Sequence, residues 1–327
     1  MKYIDMHCDT VAEMYYRKER GQQYSLYENG LHIDIKKLQK GGCLVQNFAA
    51  FVNLATRKEP FNYANALIDL YYEQLELNKA YIAPVYKFED IEKNEKAGLL
   101  SALLTIEEGE ACEGKIENLR HFYDRGVRMM NLCWNYTNSL TTPNGIDIEK
   151  GVDIKETANG LTPIGFEFVE EMERLGIVID TAHISDKGFY DVLEHSKKPF
   201  VDSHTNARGI FDHTRNLSDD MIKRMGEKGC VAGVNFCCEF MKDLTKEEYG
   251  VSFELAVNHI KHLVNKGGED SVGFGSDYDG ISSQNLAMAN ASYMPLFVDE
   301  MKRQGFSDDL IEKIFYKNVL RVYKEIL

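Results

Sequence analysis

The chain has 327 residues, 44% hydrophobic and 28% charged, enough apolar material for a large buried core in a folded protein. Its 38 basic and 52 acidic side chains leave a formal net charge of −14, and with no basic run among them no nucleic-acid partner is expected. No apolar run reaches membrane-spanning length and no basic-then-apolar leader precedes the first strand, so a cytoplasmic protein without membrane association is expected.

In chain order, Tyr3, Ile4 and Met6 predict a short buried strand that ends at His7-Cys8-Asp9. Side chains alternate along a strand, so His7 and Asp9 project the same way. One imidazole nitrogen and one carboxylate oxygen can then meet at a point, a donor pair suited to a divalent metal, zinc first. An isolated H-x-D more often only caps a strand end, so context decides its meaning. Downstream, one unit recurs: an amphipathic helix ends in Gly and a short apolar run follows. Such runs lie at 43–49, 127–133, 177–180, 231–236 and 271–275. Glycine suits the left-handed residue past a helix end because it lacks the Cβ that makes positive φ costly. With 99–106, 200–201 and the first strand, the count is eight. Continuous apolar runs alternating with helices predict parallel strands buried on both faces. Eight such units predict an α/β protein: a (β/α)8 TIM barrel of the metal-dependent hydrolase type, residues 1–327 as one domain, with long βα loops and a C-terminal helix.

Helix boundaries support this scheme. Thr162 followed by Pro163 reads as an N-cap, and Ser307 caps the last helix, whose apolar face is Ile311, Ile314, Phe315 and Val319. Residues 57–82 carry Tyr and Leu at helical spacing, a core-facing stripe. Residues 138–160, rich in Asn, Gly, Thr and Asp, predict a long loop after the fourth strand. The seven cysteines form no C-x-x-C pair and read as reduced, buried thiols.

Polar residues collect where the predicted strands end. The first three end in His7 and Asp9, in Gln46-Asn47 and in Glu107-Glu108. Trp134-Asn135, then Asp180 and His183, then Asp202 and His204 follow the next three, and Asn235 and Asp277 with Asp279 the last two. In a barrel these ends converge on the face where active sites lie. Histidines and carboxylates crowded there would be costly without a cation, so metal ligation by His7, His183 and His204 is expected. Asp180 and Asp202 either orient an imidazole or are interior acids. His32, His121, His195, His259 and His262 show no partner in the sequence and are expected to be structural.

Several segments, taken in order, resemble the renal-type (membrane) dipeptidases, binuclear zinc peptidases on an amidohydrolase-like barrel. They are Asp5-Met-His-Cys-Asp-Thr10, Leu104-Thr-Ile-Glu-Glu-Gly109, Gly176-Ile-Val-Ile-Asp-Thr-Ala-His183 and Ser203-His-Thr-Asn206. His213-Thr-Arg-Asn216, Val272-Gly-Phe-Gly-Ser-Asp-Tyr-Asp-Gly280 and Asn318-Val-Leu-Arg-Val322 continue them. The resemblance implies two zinc ions per chain, one held by His7, Asp9 and Glu107 and the other by Glu107, His183 and His204. The family usually shows Glu-Gly-Gly where this chain has Glu107-Glu108-Gly109; Glu107 is preferred as the bridge because it directly follows the apolar run. Arg215 would pair with the substrate's terminal carboxylate, and Asp277 would transfer the proton. Asp279 either faces the same way or holds the turn into Gly280.

Mammalian members carry a histidine after the fourth strand, thought to bind substrate or stabilise the oxyanion. Trp134 stands there in this chain, followed by Asn135, and both are candidate substrate contacts. An indole N–H donates but cannot titrate. The implied reaction is hydrolysis of dipeptides, including those with a C-terminal D-residue, by a metal-bridging hydroxide, with Asp277 as base and then acid. The family also implies a homodimer. Another binuclear amidohydrolase, such as an N-acyl amino acid deacylase, is the alternative, because fold and metal do not fix the substrate. A catalytically silent metal-binding barrel would have no need of a base at Asp277.

Overall fold

Short apolar runs, each delivered by a helix that ends in glycine, form the strands of a closed ring. The computed structural model describes residues 1–147, 152–242, 251–281 and 287–327. The ring strands are β1 (Tyr3–Asp5), β2 (Cys43–Phe51), β3 (Leu100–Glu107), β4 (Val127–Asn131), β5 (Val178–Asp180), β6 (Val201–Thr205), β7 (Val231–Val234) and β8 (Val272–Phe274). They run in the order β2-β1-β8-β7-β6-β5-β4-β3, all parallel, and β3 pairs back onto β2 to close the barrel. This is the (β/α)8 architecture that the alternating pattern predicts. Gly42, Gly176 and Gly229 cap their helices with φ of 83°, 82° and 80°. Thr162 Oγ1 accepts from Gly165 N at 3.0 Å, as the Thr-Pro signal predicts.

The structure corrects several details. A further strand, Ile82–Pro84, pairs with the first residues of β3, while β4 takes over the same edge from Leu104 onward. Its three residues end in a proline, which cannot donate to a ladder, so no strand pattern marks it. Within the predicted loop at 138–160, Gly145–Asp147 and Val152–Ile154 form an antiparallel pair, and residues 148–151 lie outside the described residues. β2 continues to Phe51, so Gln46 and Asn47 sit mid-strand rather than at its end. β4 stops at Asn131 and leaves Trp134 and Asn135 in the following loop. β6 is longer than its apolar run because Asp202, Ser203 and His204 are polar yet buried, which hydropathy does not register.

The C-terminal helix seals one end of the barrel. Val319, Val322 and Tyr323 cluster with Ile4, Val45, Leu103, Met129, Val178, Val201 and Val231, which come from seven different places around the chain's core. Asn47 Nδ2, buried in that interior, lies 2.8 Å from the Tyr323 hydroxyl. The predicted last helix is interrupted: Asp308–Glu312 leads into a π-helical turn, Lys313–Lys317, and then Asn318–Ile326. Helix Pro60–Leu77 buries Leu67, Ile68, Leu70, Tyr71 and Leu75, as the stripe predicts. All seven cysteines are free. Among the described residues, no helix is long and apolar enough to cross a membrane.

Candidate active site

At the C-terminal mouth of the barrel, Glu107, the last residue of β3, is the hub. Its Oε2 lies 3.4 Å from His7 Nε2, and its Oε1 lies 3.2 Å from His183 Nε2 and 3.7 Å from His204 Nε2. His7 Nε2 is also 3.5 Å from Asp9 Oδ2 and 3.9 Å from Asp277 Oδ1. The His7 and His204 rings stack with centroids 3.9 Å apart. All five side chains expected to hold metal therefore meet at one place, together with Asp277. His183 and Asp277 have left-handed φ of 71° and 61°. Backbone of that kind costs about 1–3 kcal/mol per residue and persists where surrounding bonds hold it. Asp277 N bonds His7 O at 3.2 Å, and Gly280 N bonds Asp277 O at 3.1 Å. A side chain at Gly280 would run into the carboxylates of both Asp9 and Asp277, so only glycine lets that turn lie against them.

Hydrogen bonds behind the imidazoles fix which nitrogen is free. Ser203 Oγ donates to Asp180 Oδ2 at 2.5 Å and so accepts from His204 Nδ1 at 2.7 Å. That leaves His204 Nε2 with a bare lone pair aimed at Glu107. Asp180 is thus one of the two possibilities left open by its position, the orienting acid, acting through Ser203. Asp202 is not: its Oδ2 accepts from Thr181 Oγ1 at 3.3 Å, and its Oδ1 has no partner among the described residues. His183 Nδ1 lies 2.9 Å from Asn135 Oδ1, which turns the lone pair of Nε2 inward in the same way. The two Nε2 atoms then face each other at 2.9 Å. Among the described residues, His7 Nε2 and Asp9 Oδ1 are buried with no hydrogen-bond partner. Two lone pairs turned on each other beside orphaned buried donor atoms make a nitrogen–oxygen set that fits divalent cations such as zinc.

The electrostatics lead to the same place. Burial pushes Glu107 up to about 8 and Asp277 up to about 7, with His7 opposing the shift in both cases. Burial acts to lower His7, but the Glu107 and Asp9 carboxylates beside it prevail and hold it well above its ordinary value. Burial, with Arg215 and His7 nearby, keeps His183 and His204 neutral, well below the usual histidine range. Without a cation the pocket thus disfavours the charged forms of Glu107 and Asp277. A bound cation would offset that cost.

The cluster floors a cavity of about 690 Å³. Arg215 lines it, with Nη2 3.1 Å from His204 O and Nε buried without a hydrogen-bond partner among the described residues. Among the described residues it pairs with no carboxylate. Asp277 Oδ2 accepts from Asn235 Nδ2 at 3.0 Å, which leaves Oδ1 toward His7. Trp134 lines the cavity, its ring 4.9 Å from that of Phe51. Asn135 also borders it, but its Oδ1 is engaged by His183. Glu108 turns away at φ 99° and binds Trp134 N at 3.0 Å and Asn138 Nδ2 at 2.5 Å, so it braces the loop rather than joining the cluster. Asp279 also points elsewhere: its oxygens accept from His32 N and Thr10 Oγ1, both at 2.6 Å.

Sequence reasoning did not assign roles to Ser203, Asn235, Asn131 or the rings of Phe51, Tyr136, Tyr16 and Tyr63 that share the cavity with Trp134. Asn131 Oδ1 accepts from Glu108 N at 2.9 Å and supports that turn. Asn235 already stood among the strand-end residues without a role, whereas Ser203 lies in the middle of β6 beside His204. The histidines set aside have partners after all: His32 with Asp279, His121 with Asn65, His195 with Glu170, His259 with Ala207 N and His262 with Asp219. None of those contacts reaches the cluster.

Against known proteins, a family model for membrane dipeptidase (peptidase family M19) matches residues 1–327. This chain belongs to the membrane dipeptidase family. As a member of that family it is a metallo-dipeptidase-type hydrolase. An uncharacterised dipeptidase of Schizosaccharomyces pombe is 29% identical over 313 residues, 91% of this chain and 74% of that protein. Dipeptidase tcpJ of Claviceps purpurea is 27% identical, covering 90% of this chain and 69% of that one. A metallo peptidase from Rhodobacter sphaeroides, solved with a phosphinate mimic of the dipeptide L-Ala-D-Ala, superposes with a TM-score of 0.89 at 22% identity, covering 100% of this chain and 99% of that one. At that identity the superposition speaks for the fold alone.

Proposed function

We propose that this protein is a zinc-dependent dipeptidase, residues 1–327 acting as one domain in a homodimer, that hydrolyses dipeptides including those with a C-terminal D-residue. The observation that carries the reading is the division of Glu107, with one oxygen toward His7 and the other toward His183 and His204. A carboxylate can bind two cations at once; a neutral imidazole cannot. His7, Asp9 and Glu107 would hold one zinc, and Glu107, His183 and His204 the other. When bound, the two ions supply the positive field that lowers the pKa of water and polarises the peptide carbonyl.

The remaining work falls to side chains of this protein. Asp277 takes the proton of the attacking water on Oδ1 and delivers it to the leaving amine, while Asn235 holds Oδ2 in place. Arg215 presents a planar fork that matches the terminal carboxylate of a dipeptide, which fixes the substrate's length. The L-Ala-D-Ala mimic bound by the Rhodobacter sphaeroides relative supports the D-residue. The test is metal analysis coupled to turnover of dipeptides and of N-acyl amino acids, before and after chelation. Two zinc ions per chain, with dipeptide turnover lost on chelation and restored by zinc, are expected. Turnover of acylated amino acids alone would overturn the substrate in favour of a deacylase.

A further inference from the structure

The cavity is chemically two-sided. Arg215 is tied to His204 O on β6, while Phe51 ends β2, four strands away round the ring in either direction. On the Phe51 side, the rings of Phe51, Trp134 and Tyr136 follow one another at 4.9 and 5.7 Å, and Tyr16 and Tyr63 line the same cavity. Tyr16 and Tyr136, both lining the cavity, stand 40% and 39% exposed. The charged side chains lining this side are paired. Arg57 forks onto Glu19 at 3.0 and 2.7 Å, and Arg17 Nε holds Glu13 at 3.0 Å. Of the charged side chains on this side, the cavity-lining Glu13 and Arg57 are thus already paired, while Arg20 lies over the Tyr16 ring at 4.0 Å.

The wall is also set in advance, because Glu108 anchors Trp134 N, Asn138 Nδ2 and Glu110 N at once. A cavity of about 690 Å³ lies in the range that holds drug-sized ligands, far more than two small residues fill. With a carboxylate on Arg215 and the scissile bond over Glu107, the first residue of a dipeptide projects toward this wall.

We propose that the site selects dipeptides whose first residue bears a large apolar or aromatic side chain, with Trp134 as the specificity-determining contact. This rests on the dipeptidase reading above. The experiment measures kcat/KM of the zinc-restored protein for Phe-Ala, Leu-Ala, Gly-Ala and Asp-Ala. Phe-Ala and Leu-Ala should exceed the other two by about tenfold or more, the discrimination a few buried carbons supply. In Trp134→Ala that advantage should shrink by about tenfold, chiefly through KM, and Phe51→Leu should shift it the same way. Discrimination among Ala-Phe, Ala-Leu and Ala-Gly should not follow it.

Trp134 is the chain's only tryptophan, so its emission gives a reading independent of turnover. A phosphinate mimic of Phe-Ala should perturb it at lower concentration than a mimic of Gly-Ala. Equal kcat/KM across the first-residue series, or an unchanged ratio in both variants, would overturn this inference and leave the dipeptidase intact. Failure to hydrolyse any dipeptide would overturn the proposed function, and this with it.

Discussion

Two adjacent carboxylates, Glu107 and Glu108, show how strongly a single backbone angle decides chemistry. Glu107 ends β3 with its side chain among the imidazoles, whereas φ of 99° at Glu108 swings the next carboxylate into the loop that carries Trp134. Asp277 is the more delicate case, because His7, Asp9 and Asp277 also lie close enough together to share a cation. Asp277→Asn keeps the size of the side chain and removes its basicity. The expected outcome is a fall in kcat of about 10²–10⁴ with zinc content unchanged. Loss of zinc along with turnover would make Asp277 a ligand instead of a base.

Among the elements, the strands divide their labour by end. Their mouth-side ends carry the polar cluster, and their other ends close over Val319, Val322 and Tyr323 of the last helix. Tyr323 seals that end with a polar contact as well as an apolar one, its hydroxyl 2.8 Å from Asn47 Nδ2 and 3.1 Å from Asn47 Oδ1. Removing the hydroxyl in Tyr323→Phe leaves a buried amide short of a partner. A cost of about 1–3 kcal/mol is expected, read as a lower urea midpoint. Because the change lies at the sealed end, KM for dipeptides should stay as in the parent protein. A raised KM would mean that the two ends are coupled.

On the scale of the whole molecule, a chain of net charge −14 concentrates two buried carboxylates, Asp9 and Glu107, and a half-buried one, Asp277, around one imidazole. Bringing these carboxylates together disfavours their charged forms, a cost that a cation bound to the native form would offset. A ligand bound only to the native state stabilises it by about 2.7 kcal/mol at a hundred times its Kd. Chelation should therefore lower Tm by several degrees, and zinc should restore it. A Tm that ignores the chelator would count against any structural coupling of metal and barrel.

Short segments of the sequence determined the barrel and the ring of polar strand ends. Helix-capping glycines, apolar runs and i,i+2 pairs such as His7 and Asp9 are local properties, legible without knowing what packs against them. Tertiary structure alone decided that Asp180 governs His204 through Ser203, across a separation of 23 residues. It also decided that Asp279 turns away to Thr10 and His32, 269 and 247 positions distant. The reach of β2 to Phe51, the added strand Ile82–Pro84 and the aromatic wall opposite Arg215 belong to the same class. The physical reason is that a hydrogen bond or ring contact between distant segments is a property of the pair, and the hydropathy of either segment does not carry it.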